Sequence, residues 1–262
     1  MNELRVKQSG FRNGIAIVAG GSGGLGSAIC QRLAAEGVDV AFTYNRNADR
    51  ARAVAKLIEE HGSRALAIQT DLTDTAQVDR LLQRVNTEWS TPSTVIYAAG
   101  PQLYFKYISQ LDPAIFKATM DQDIYGFYNL ASASLPLLRQ ERGALVALST
   151  PAIVRYTKKD ILSIAPKAAI HSVVRGIAVE EGRFGIRANS VGIGLVGDAG
   201  LFETLTANGD IDEKYMQATY ERVPLQRLGL ANEIAEAVAF LASERASFIT
   251  GQLLMVDGGL ST

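Results

Sequence analysis

The run Ile15-Ala-Ile-Val-Ala-Gly-Gly-Ser-Gly-Gly-Leu-Gly26 carries the strongest indication of fold class in this 262-residue chain. Its first five residues are apolar and predict a buried strand. The glycine-rich run that follows predicts a tight turn, and residues 27–36 carry apolar side chains at helical spacing. A strand, a glycine turn and a helix in this order predict the first unit of a wound α/β sheet.

The same alternation continues to the end of the chain. Strand-like runs are predicted at 38–43, 65–69, 94–98, 145–149, 186–191 and 253–256, and helical patterns at 48–60, 75–88, 113–138, 167–181 and 232–241. With right-handed crossovers, these elements predict one Rossmann-type, doubly wound parallel sheet of about seven strands with helices on both faces. All 262 residues are assigned to a single domain. Residues 192–213 are rich in glycine and irregular, which predicts a mobile flap over a substrate.

Composition limits the classes of function. Apolar residues make up 47% of the chain, and the formal net charge of −1 favours neither nucleic acid nor an anionic membrane as a partner. No run approaches the roughly 18 apolar residues of a membrane span, and the polar, basic segment 1–11 is unlike a signal peptide. The lone Cys30, expected to pack inertly in a helix, and two histidines predict neither a disulfide nor a metal site. We therefore expect a soluble cytoplasmic protein.

The glycine turn has the spacing of a dinucleotide-binding motif. Gly20, Gly24 and Gly26 form G-x-x-x-G-x-G, and Leu25 stands between the last two. Glycine allows the backbone to approach a pyrophosphate, which binds at the N-terminus of the following helix. The hydroxyl of Ser22 can donate to a phosphate oxygen. The strand before the turn and the helix after it supply the context that this motif needs.

The end of the second predicted strand indicates the type of cofactor. A carboxylate there would bind the ribose 2′-hydroxyl of NAD and repel the 2′-phosphate of NADP. The sequence has Asn45 and Arg46 instead. The Arg46 guanidinium can pair with a 2′-phosphate and Asn45 can add a donor, although Arg46 can also be an ordinary surface charge. We therefore expect NADP(H).

Several short motifs indicate a family. The glycine turn, the pair Asp71-Leu72, the run Tyr97-Ala-Ala-Gly100 and the run Lys167-Ala-Ala resemble motifs of the short-chain dehydrogenases/reductases. In the second run, tyrosine replaces the first asparagine of the family's N-N-A-G. The resemblance implies a nicotinamide-dependent oxidoreductase that assembles as a homotetramer. The matching residues implied to contact the cofactor are Asp71, Leu72, Ala99, Gly100, Lys167, Gly194 and Val196.

The usual active site of this family contains an Asn, a Ser, a Tyr and a Lys, of which Lys167 is kept. The serine position falls at Thr150, which keeps a hydroxyl, with Ser149 beside it. The asparagine position falls at Asp123. The tyrosine position falls at Ser163, four residues before Lys167. A serine hydroxyl is too weak an acid to replace a phenol, so Ser163 is expected to hydrogen-bond Lys167 or the cofactor.

These replacements resemble one branch of the family, the 2,4-dienoyl-CoA reductases, which have an S-x-x-x-K arrangement and, in the peroxisomal type, Asp in place of Asn. The resemblance implies NADPH-dependent reduction of an activated C=C bond in an acyl thioester. The enolate formed needs donors at its oxygen, for which Lys167 and Thr150 are candidates, and a proton at carbon, which Asp123 can hold or relay. The branch also implies a second aspartate in the site, which matches Asp257.

Two other functions fit the sequence. The first is a ketone or 3-oxoacyl reductase in which another phenol, Tyr156, supplies the proton. The second is a catalytically inactive NADP-binding scaffold, which the missing phenol at position 163 favours. Tyr104 and Tyr107 are expected near the substrate entrance. His171 is expected to pack against a neighbouring helix or subunit.

Overall fold

Seven parallel strands form one sheet in the computed structural model, which describes residues 10–12, 14–100, 104–199 and 213–262. The strands are β1 Ile15–Ala19, β2 Asp39–Tyr44, β3 Ala65–Gln69, β4 Thr94–Tyr97, β5 Ala144–Ser149, β6 Arg187–Ile193 and β7 Leu253–Val256. Their order across the sheet is β3-β2-β1-β4-β5-β6-β7, so the chain winds outward from β1 to one edge and then to the other. The predicted doubly wound parallel sheet is confirmed.

Helices cover both faces of the sheet. They are α1 Gly24–Ala35, α2 Ala48–Glu60, α3 Thr75–Glu88, α4 Pro113–Met120, α5 Gly126–Glu141, α6 Ile161–Glu180, α7 Glu213–Arg222 and α8 Ala231–Ala242. A π-helical segment of five residues, Asp121–Tyr125, joins α4 to α5. The helix predicted at 113–138 is therefore confirmed, with one wider turn inside it.

Alternate residues of the strands face different helical layers, because successive side chains of a strand point to opposite sides. In β5, Leu148 packs in the layer formed by α1, α2 and α8, whereas Ala147 packs in the layer formed by α3, α5 and α6. Ser149 comes next, so by this alternation it is on the face that α6 covers. The last residue of β4, Tyr97, packs in the same layer.

Helix α6 begins at Ile161, earlier than the predicted start at Lys167. We expected Pro166 in the first turn, but it lies inside the helix. Proline has no N–H group and removes one main-chain hydrogen bond there. Leu162, Ile164 and Pro166 are all buried, so apolar burial offsets this loss.

Helix α6 is also the one helix among the described residues that is long and apolar enough to cross a membrane. Its residues Ile170, Val174 and Ile177 pack against the sheet and against neighbouring helices. A core helix therefore accounts for this composition.

The flap predicted at residues 192–213 is only partly described. Strand β6 runs to Ile193, and Val196 forms an isolated bridge with Gly229. Residues 200–212 lie outside the described residues, and α7 begins at Glu213. The flap stays a prediction.

Candidate active site

Two close backbone contacts shape the glycine turn after β1. Gly20 has a φ of +77°, in the left-handed region, and a Cβ there would lie 2.8 Å from the Cα of Ala99. A Cβ on Gly26 would lie 2.2 Å from the carbonyl oxygen of Gly20. Glycine is therefore required at both positions. The first turn of α1 carries no acidic residue, which suits an anion at this helix N-terminus.

A cavity of about 290 Å³ opens beside this turn, past the C-terminal ends of β1, β2, β3 and β4. In a doubly wound sheet, dinucleotides bind at this edge, where the strand order reverses. The predicted cofactor residues that line it are Gly20, Ser22, Asn45, Asp71, Leu72, Ala99 and Gly100. This lining fits the adenosine and phosphate half of a nicotinamide dinucleotide.

Other predicted cofactor residues lie beside the cavity without lining it. Gly24, Leu25 and Gly26 form the first turn of α1. Arg46 is exposed just after β2, next to Asn45. The structure thus puts the Arg46 charge at the end of the strand where a ribose 2′-substituent is recognised in this type of fold.

Gly194 and Val196 follow β6, which belongs to the half of the sheet formed by β4 to β7. A Cβ on Gly194 would lie 2.5 Å from the Cα of Asp257, so this close approach requires glycine. Asp257 accepts hydrogen bonds from the main-chain N–H groups of Gly259 and Ser261, each over 2.9 Å. Both of its carboxylate oxygens stabilise the turn after β7. The structure therefore favours a structural role for Asp257 over a catalytic one.

Lys167 and Asp123 form a buried ion pair. The Lys167 ammonium donates to Asp123 Oδ1 over 3.0 Å and to the carbonyl oxygen of Ala99 over 3.3 Å. Side-chain exposure is 13% for Lys167 and 1% for Asp123. Because Ala99 lines the dinucleotide cavity, the ion pair lies next to that cavity. The structure brings these two predicted catalytic residues together.

The π-helical segment Asp121–Tyr125 holds Asp123 in this position. Such segments are rare and occur frequently at functional sites. The main-chain oxygen of Asp123 accepts from the N–H of Gly126 and, over 2.9 Å, from the hydroxyl of Tyr97. The same hydroxyl lies 3.0 Å from Asp123 Oδ1. Tyr97 therefore contacts both the main chain and the side chain of Asp123.

Tyr97 is a site residue that sequence reasoning missed. It ends β4, is 2% exposed and packs edge-on against Phe127, with ring centroids 5.3 Å apart. The Lys167 ammonium lies 5.2 Å from the centre of its ring. Burial raises the pKa of the Tyr97 phenol well above its usual value, and the Asp123 carboxylate adds to the rise. Its sequence signal is the tyrosine standing where N-N-A-G has asparagine.

The end of β5 supplies two hydroxyl groups. Thr150 Oγ1 accepts from the N–H of Ala152 over 3.2 Å, so its own hydrogen remains able to donate to a substrate. Within the described part of the chain, two buried side-chain oxygens have no hydrogen-bond partner, Ser149 Oγ and Asp123 Oδ2. Buried polar atoms are nearly always paired, so these two oxygens indicate a place for a bound group or water.

Ser163 and Tyr156 have no described contact with the ion pair. Ser163 is half-buried and lies one turn before Lys167 on α6. Its hydrogen bond to Lys167 or to the cofactor stays a prediction. Tyr156 is 54% exposed and lines a separate polar cavity of about 340 Å³ together with Arg222.

The loops after β4 and β5 touch each other. The Lys159 ammonium lies 4.9 Å from the centre of the Tyr107 ring. Tyr104 and Tyr107 are both about half exposed, at 47% and 48%. Their place at a substrate entrance stays a prediction.

Two further titratable groups belong to α6 or its start. Asp160 precedes the helix, and burial raises the pKa of its carboxyl to about 6. His171 lies one turn after Lys167, and its Nδ1 is 3.0 Å from the Oγ of Ser190 on β6. Its described contact is thus with the sheet, whereas we expected a neighbouring helix or subunit. Burial, with a smaller effect of Arg175, lowers the pKa of His171.

Fold and site together define an oxidoreductase of the nicotinamide-dependent, doubly wound type. A family model described as enoyl-(acyl carrier protein) reductase matches residues 19–261. A short-chain dehydrogenase/reductase from Serratia marcescens, solved as a double mutant, superposes with a TM-score of 0.86 at 28% identity, covering 96% of this chain and 99% of that one. The protein belongs to the short-chain dehydrogenase/reductase family, whose members use nicotinamide cofactors.

Characterised relatives include two kinds of reductase. A 1-cyclohexenylcarbonyl-CoA reductase of Streptomyces collinus is 32% identical over 261 residues, which cover 100% of this chain and 91% of the relative. A 3-oxoacyl-[acyl-carrier-protein] reductase of Staphylococcus epidermidis is 29% identical over 250 residues, covering 95% of this chain and 99% of the relative. These relatives correspond to the two enzyme functions considered from the sequence, reduction of an unsaturated thioester and reduction of a 3-oxoacyl group.

Proposed function

We propose that the protein is an NADPH-dependent reductase of an activated carbon–carbon double bond in an acyl thioester. The observation that carries the proposal is the ion pair between Lys167 and Asp123. The position of the family's catalytic phenol holds Ser163, and the lysine instead faces a buried carboxylate with one unpartnered oxygen.

The chemistry of the substrate follows from this replacement. Reduction of a ketone leaves an alkoxide, which needs a strong enough acid at its oxygen, and a serine hydroxyl is not one. Reduction of a conjugated thioester spreads the negative charge into an enolate. The enolate oxygen needs hydrogen-bond donors and not a full proton. The proton is instead required at the α-carbon.

The residues of the site divide these tasks. The Lys167 ammonium and the Thr150 hydroxyl donate hydrogen bonds to the thioester oxygen as charge develops there. Asp123 holds or relays the proton that is added at the α-carbon. When bound, the reduced nicotinamide supplies the electron pair and one hydrogen for the β-carbon. Addition of this hydrogen with its electron pair at the β-carbon, and of the proton at the α-carbon, converts the double bond into a single bond.

NADPH is the proposed cofactor because no carboxylate follows β2. Asn45 lines the dinucleotide cavity and Arg46 is exposed beside it. A guanidinium at this place favours a 2′-phosphate, whereas a carboxylate would repel it. Gly20, Ser22 and the N-terminus of α1 would hold the pyrophosphate.

One relative supports the substrate class. The substrate named for the Streptomyces collinus enzyme, 1-cyclohexenylcarbonyl-CoA, is a thioester conjugated to a ring double bond. The 3-oxoacyl reductases are slightly less similar and favour the second candidate, reduction of a ketone. In that function Tyr156, which lines a separate cavity, would have to supply the proton.

The family resemblance also implies a homotetramer, which we propose for this chain. Two large aromatic side chains, Tyr125 and Tyr128, stand exposed at 57% and 52% on neighbouring turns. Contact between subunits would bury them. Light scattering of the purified protein measures the mass directly, and a monomeric mass would contradict this assembly.

A substrate comparison tests the proposed function. NADPH oxidation should be followed with a 2,4-dienoyl-CoA, a 2-enoyl-CoA, 1-cyclohexenylcarbonyl-CoA and a 3-oxoacyl-CoA. We expect turnover of at least one of the three unsaturated thioesters and none of the oxo compound. Turnover of the oxo compound alone would reject the proposal in favour of ketone reduction. NADPH binding without turnover of any of them would favour the inactive scaffold.

The proton role of Asp123 needs its own variant pair. Asp123→Ala should lower kcat by about 10²-fold, because positioned proton donors contribute at least that factor. Asp121→Ala is the matched control, since Asp121 lies two residues away but is partly exposed and paired with Lys117. Equal rates for wild type and Asp123→Ala would show that Asp123 does not handle the proton.

A further inference from the structure

We propose that Tyr97 is a positioning residue whose hydroxyl keeps Asp123 hydrogen-bonded both when its carboxyl is ionised and when it carries a proton. This role rests on the proposed function, in which Asp123 holds or relays a proton. Position 97 departs from the asparagine of N-N-A-G, and position 123 departs from the asparagine of the usual active site. The structure shows that these two departures are in contact.

The geometry allows one hydroxyl to serve two states. The Tyr97 oxygen lies 2.9 Å from the main-chain oxygen of Asp123 and 3.0 Å from Oδ1. A phenol has one hydrogen, which rotates to suit its neighbours, and lone pairs that accept. When Asp123 is ionised, Tyr97 donates to Oδ1. When Oδ2 takes up the proton, Oδ1 becomes a carbonyl oxygen, and the Tyr97 hydroxyl still donates to Oδ1 or to the main-chain oxygen.

Lys167 can adapt in the same way. Its ammonium donates to Oδ1 over 3.0 Å and to the carbonyl oxygen of Ala99 over 3.3 Å. If Asp123 takes up a proton, the hydrogen bond to Ala99 still holds the ammonium in place. Oδ2 is the carboxylate oxygen without a hydrogen-bond partner, so it is the one that can take up the proton.

Because Asp123 is buried, it needs a hydrogen-bonding partner within the protein, such as Tyr97. Asp123 is 1% exposed, so bulk water does not supply its hydrogen bonds. A buried group that gains and loses a proton needs protein partners in both states, because an unmet polar atom is costly in the interior. Tyr97 is not itself the acid. Burial raises the pKa of its phenol well above the usual value, so it stays protonated while Asp123 exchanges its proton.

Tyr97→Phe isolates the hydroxyl. The variant keeps the ring that packs against Phe127 and lies near Lys167. We expect a roughly tenfold lower kcat, as for loss of a hydrogen bond to a charged group. The KM for NADPH should stay unchanged, and the solvent deuterium isotope effect should grow. Tyr220→Phe, on α7 and without a described contact with Asp123 or Lys167, is the control and should leave kcat unchanged.

The same substitution in an Asp123→Asn background tests whether Tyr97 acts through Asp123. There we expect less than about a twofold further change, because residues that act as a unit are not additive. Equal losses in both backgrounds, or no loss in wild type, would overturn the role of Tyr97. A full rate for Asp123→Asn alone would reject the proton role of Asp123 and this inference with it. A slow Asp123→Asn enzyme beside a fully active Tyr97→Phe enzyme would reject Tyr97 alone.

A second measurement needs no cofactor. In protein labelled with ¹³C at the ζ carbon of tyrosine, the Tyr97 resonance is the one missing from the Tyr97→Phe spectrum. We expect Asp123→Asn to move this resonance and to lower the pH at which it titrates, while the Tyr220 resonance stays in place. An unmoved Tyr97 resonance would contradict the contact on which the role depends.

Discussion

The Lys167 ammonium lies 3.0 Å from the Asp123 carboxylate at a place where little of either side chain is exposed. Removing two charges from water is costly, and their attraction offsets the cost only when further hydrogen bonds are made. Ala99 and Tyr97 supply those bonds. The ion pair therefore matters both for the proposed chemistry and for the stability of the fold.

Loss of one partner should destabilise the protein. Lys167→Met should lower the free energy of unfolding by about 3 kcal/mol, because it leaves the Asp123 carboxylate buried without its counter-charge. Urea unfolding of both proteins at neutral pH measures the difference. Lys117→Met is the control, since Lys117 pairs with Asp121 on the surface and should matter little. An Lys167→Met protein as stable as wild type would show that the carboxylate is not held as an ion.

Arg46 should determine the preference for NADPH. Arg46→Ala should weaken NADPH binding by roughly tenfold, about the effect of one exposed charge-assisted contact, and should leave NADH binding unchanged. Isothermal titration with both cofactors measures the two constants. Arg52→Ala is suited as the control, because Arg52 is exposed on α2 and paired with Asp49. If the affinities for NADPH and NADH fall equally in the Arg46 variant, Arg46 does not recognise the 2′-phosphate.

Two glycines should respond oppositely to alanine. Gly26→Ala should cost roughly 1–3 kcal/mol, because its Cβ would lie 2.2 Å from the main-chain oxygen of Gly20, which cannot move aside easily. Gly176→Ala lies within α6 with nothing inside 4 Å of the new Cβ, and should stabilise the protein by about 0.5–1 kcal/mol. Denaturant midpoints of the two variants measure both effects. A tolerated alanine at position 26 would contradict the tight turn.

Asp160 should make stability fall as pH rises from 3.8, the ordinary pKa of its carboxyl, to about 6, the pKa in the folded protein. Burial raises the pKa of the folded carboxyl from 3.8 to about 6, so the folded state binds more protons than the unfolded state in this interval. The stabilising contribution is present at acidic pH and is lost as pH rises through about 6. Asp160→Asn should therefore lose this part of the pH dependence. Unfolding curves recorded across this interval measure the free energy of unfolding of both proteins. If it depends on pH in the same way in wild type and in Asp160→Asn, the carboxyl is not buried.

Cys30 should be chemically silent in the native state. It is fully buried in α1, and burial raises the pKa of its thiol, so the reactive thiolate is scarce. A thiol reagent should label it only after unfolding, at the rate of global unfolding. Rapid labelling of the native protein would show that α1 opens locally.

Most of the fold could be predicted because its elements have distinct local patterns. The apolar runs of β1, β3 and β7 and the amphipathic patterns of α2 and α3 match the predicted bounds in full. The start of α6 was predicted wrongly, since a local rule about Pro166 was outweighed by the burial of Leu162 and Ile164 beside it. Such packing depends on the rest of the sheet and cannot be predicted from a short stretch of sequence.

The site was predicted residue by residue but not as a set of contacts. Spacing within family motifs indicated Asp123 and Lys167 separately, although they are 44 residues apart in the chain. Their contact depends on the π-helical turn, which helical periodicity does not predict. The contact of Tyr97 with Asp123 depends on it as well, so a replaced asparagine in β4 gave no sign of its partner.

The π-helical segment Asp121–Tyr125 also sets the phase of the helix that follows it. Removing one residue there would restore a regular helix and rotate α5 by about 100° relative to α4. Phe127 and Leu130 would then turn away from the sheet, or Asp123 would turn away from Lys167. A one-residue deletion in this short segment would thus misplace either the core side chains of α5 or the Asp123 carboxylate.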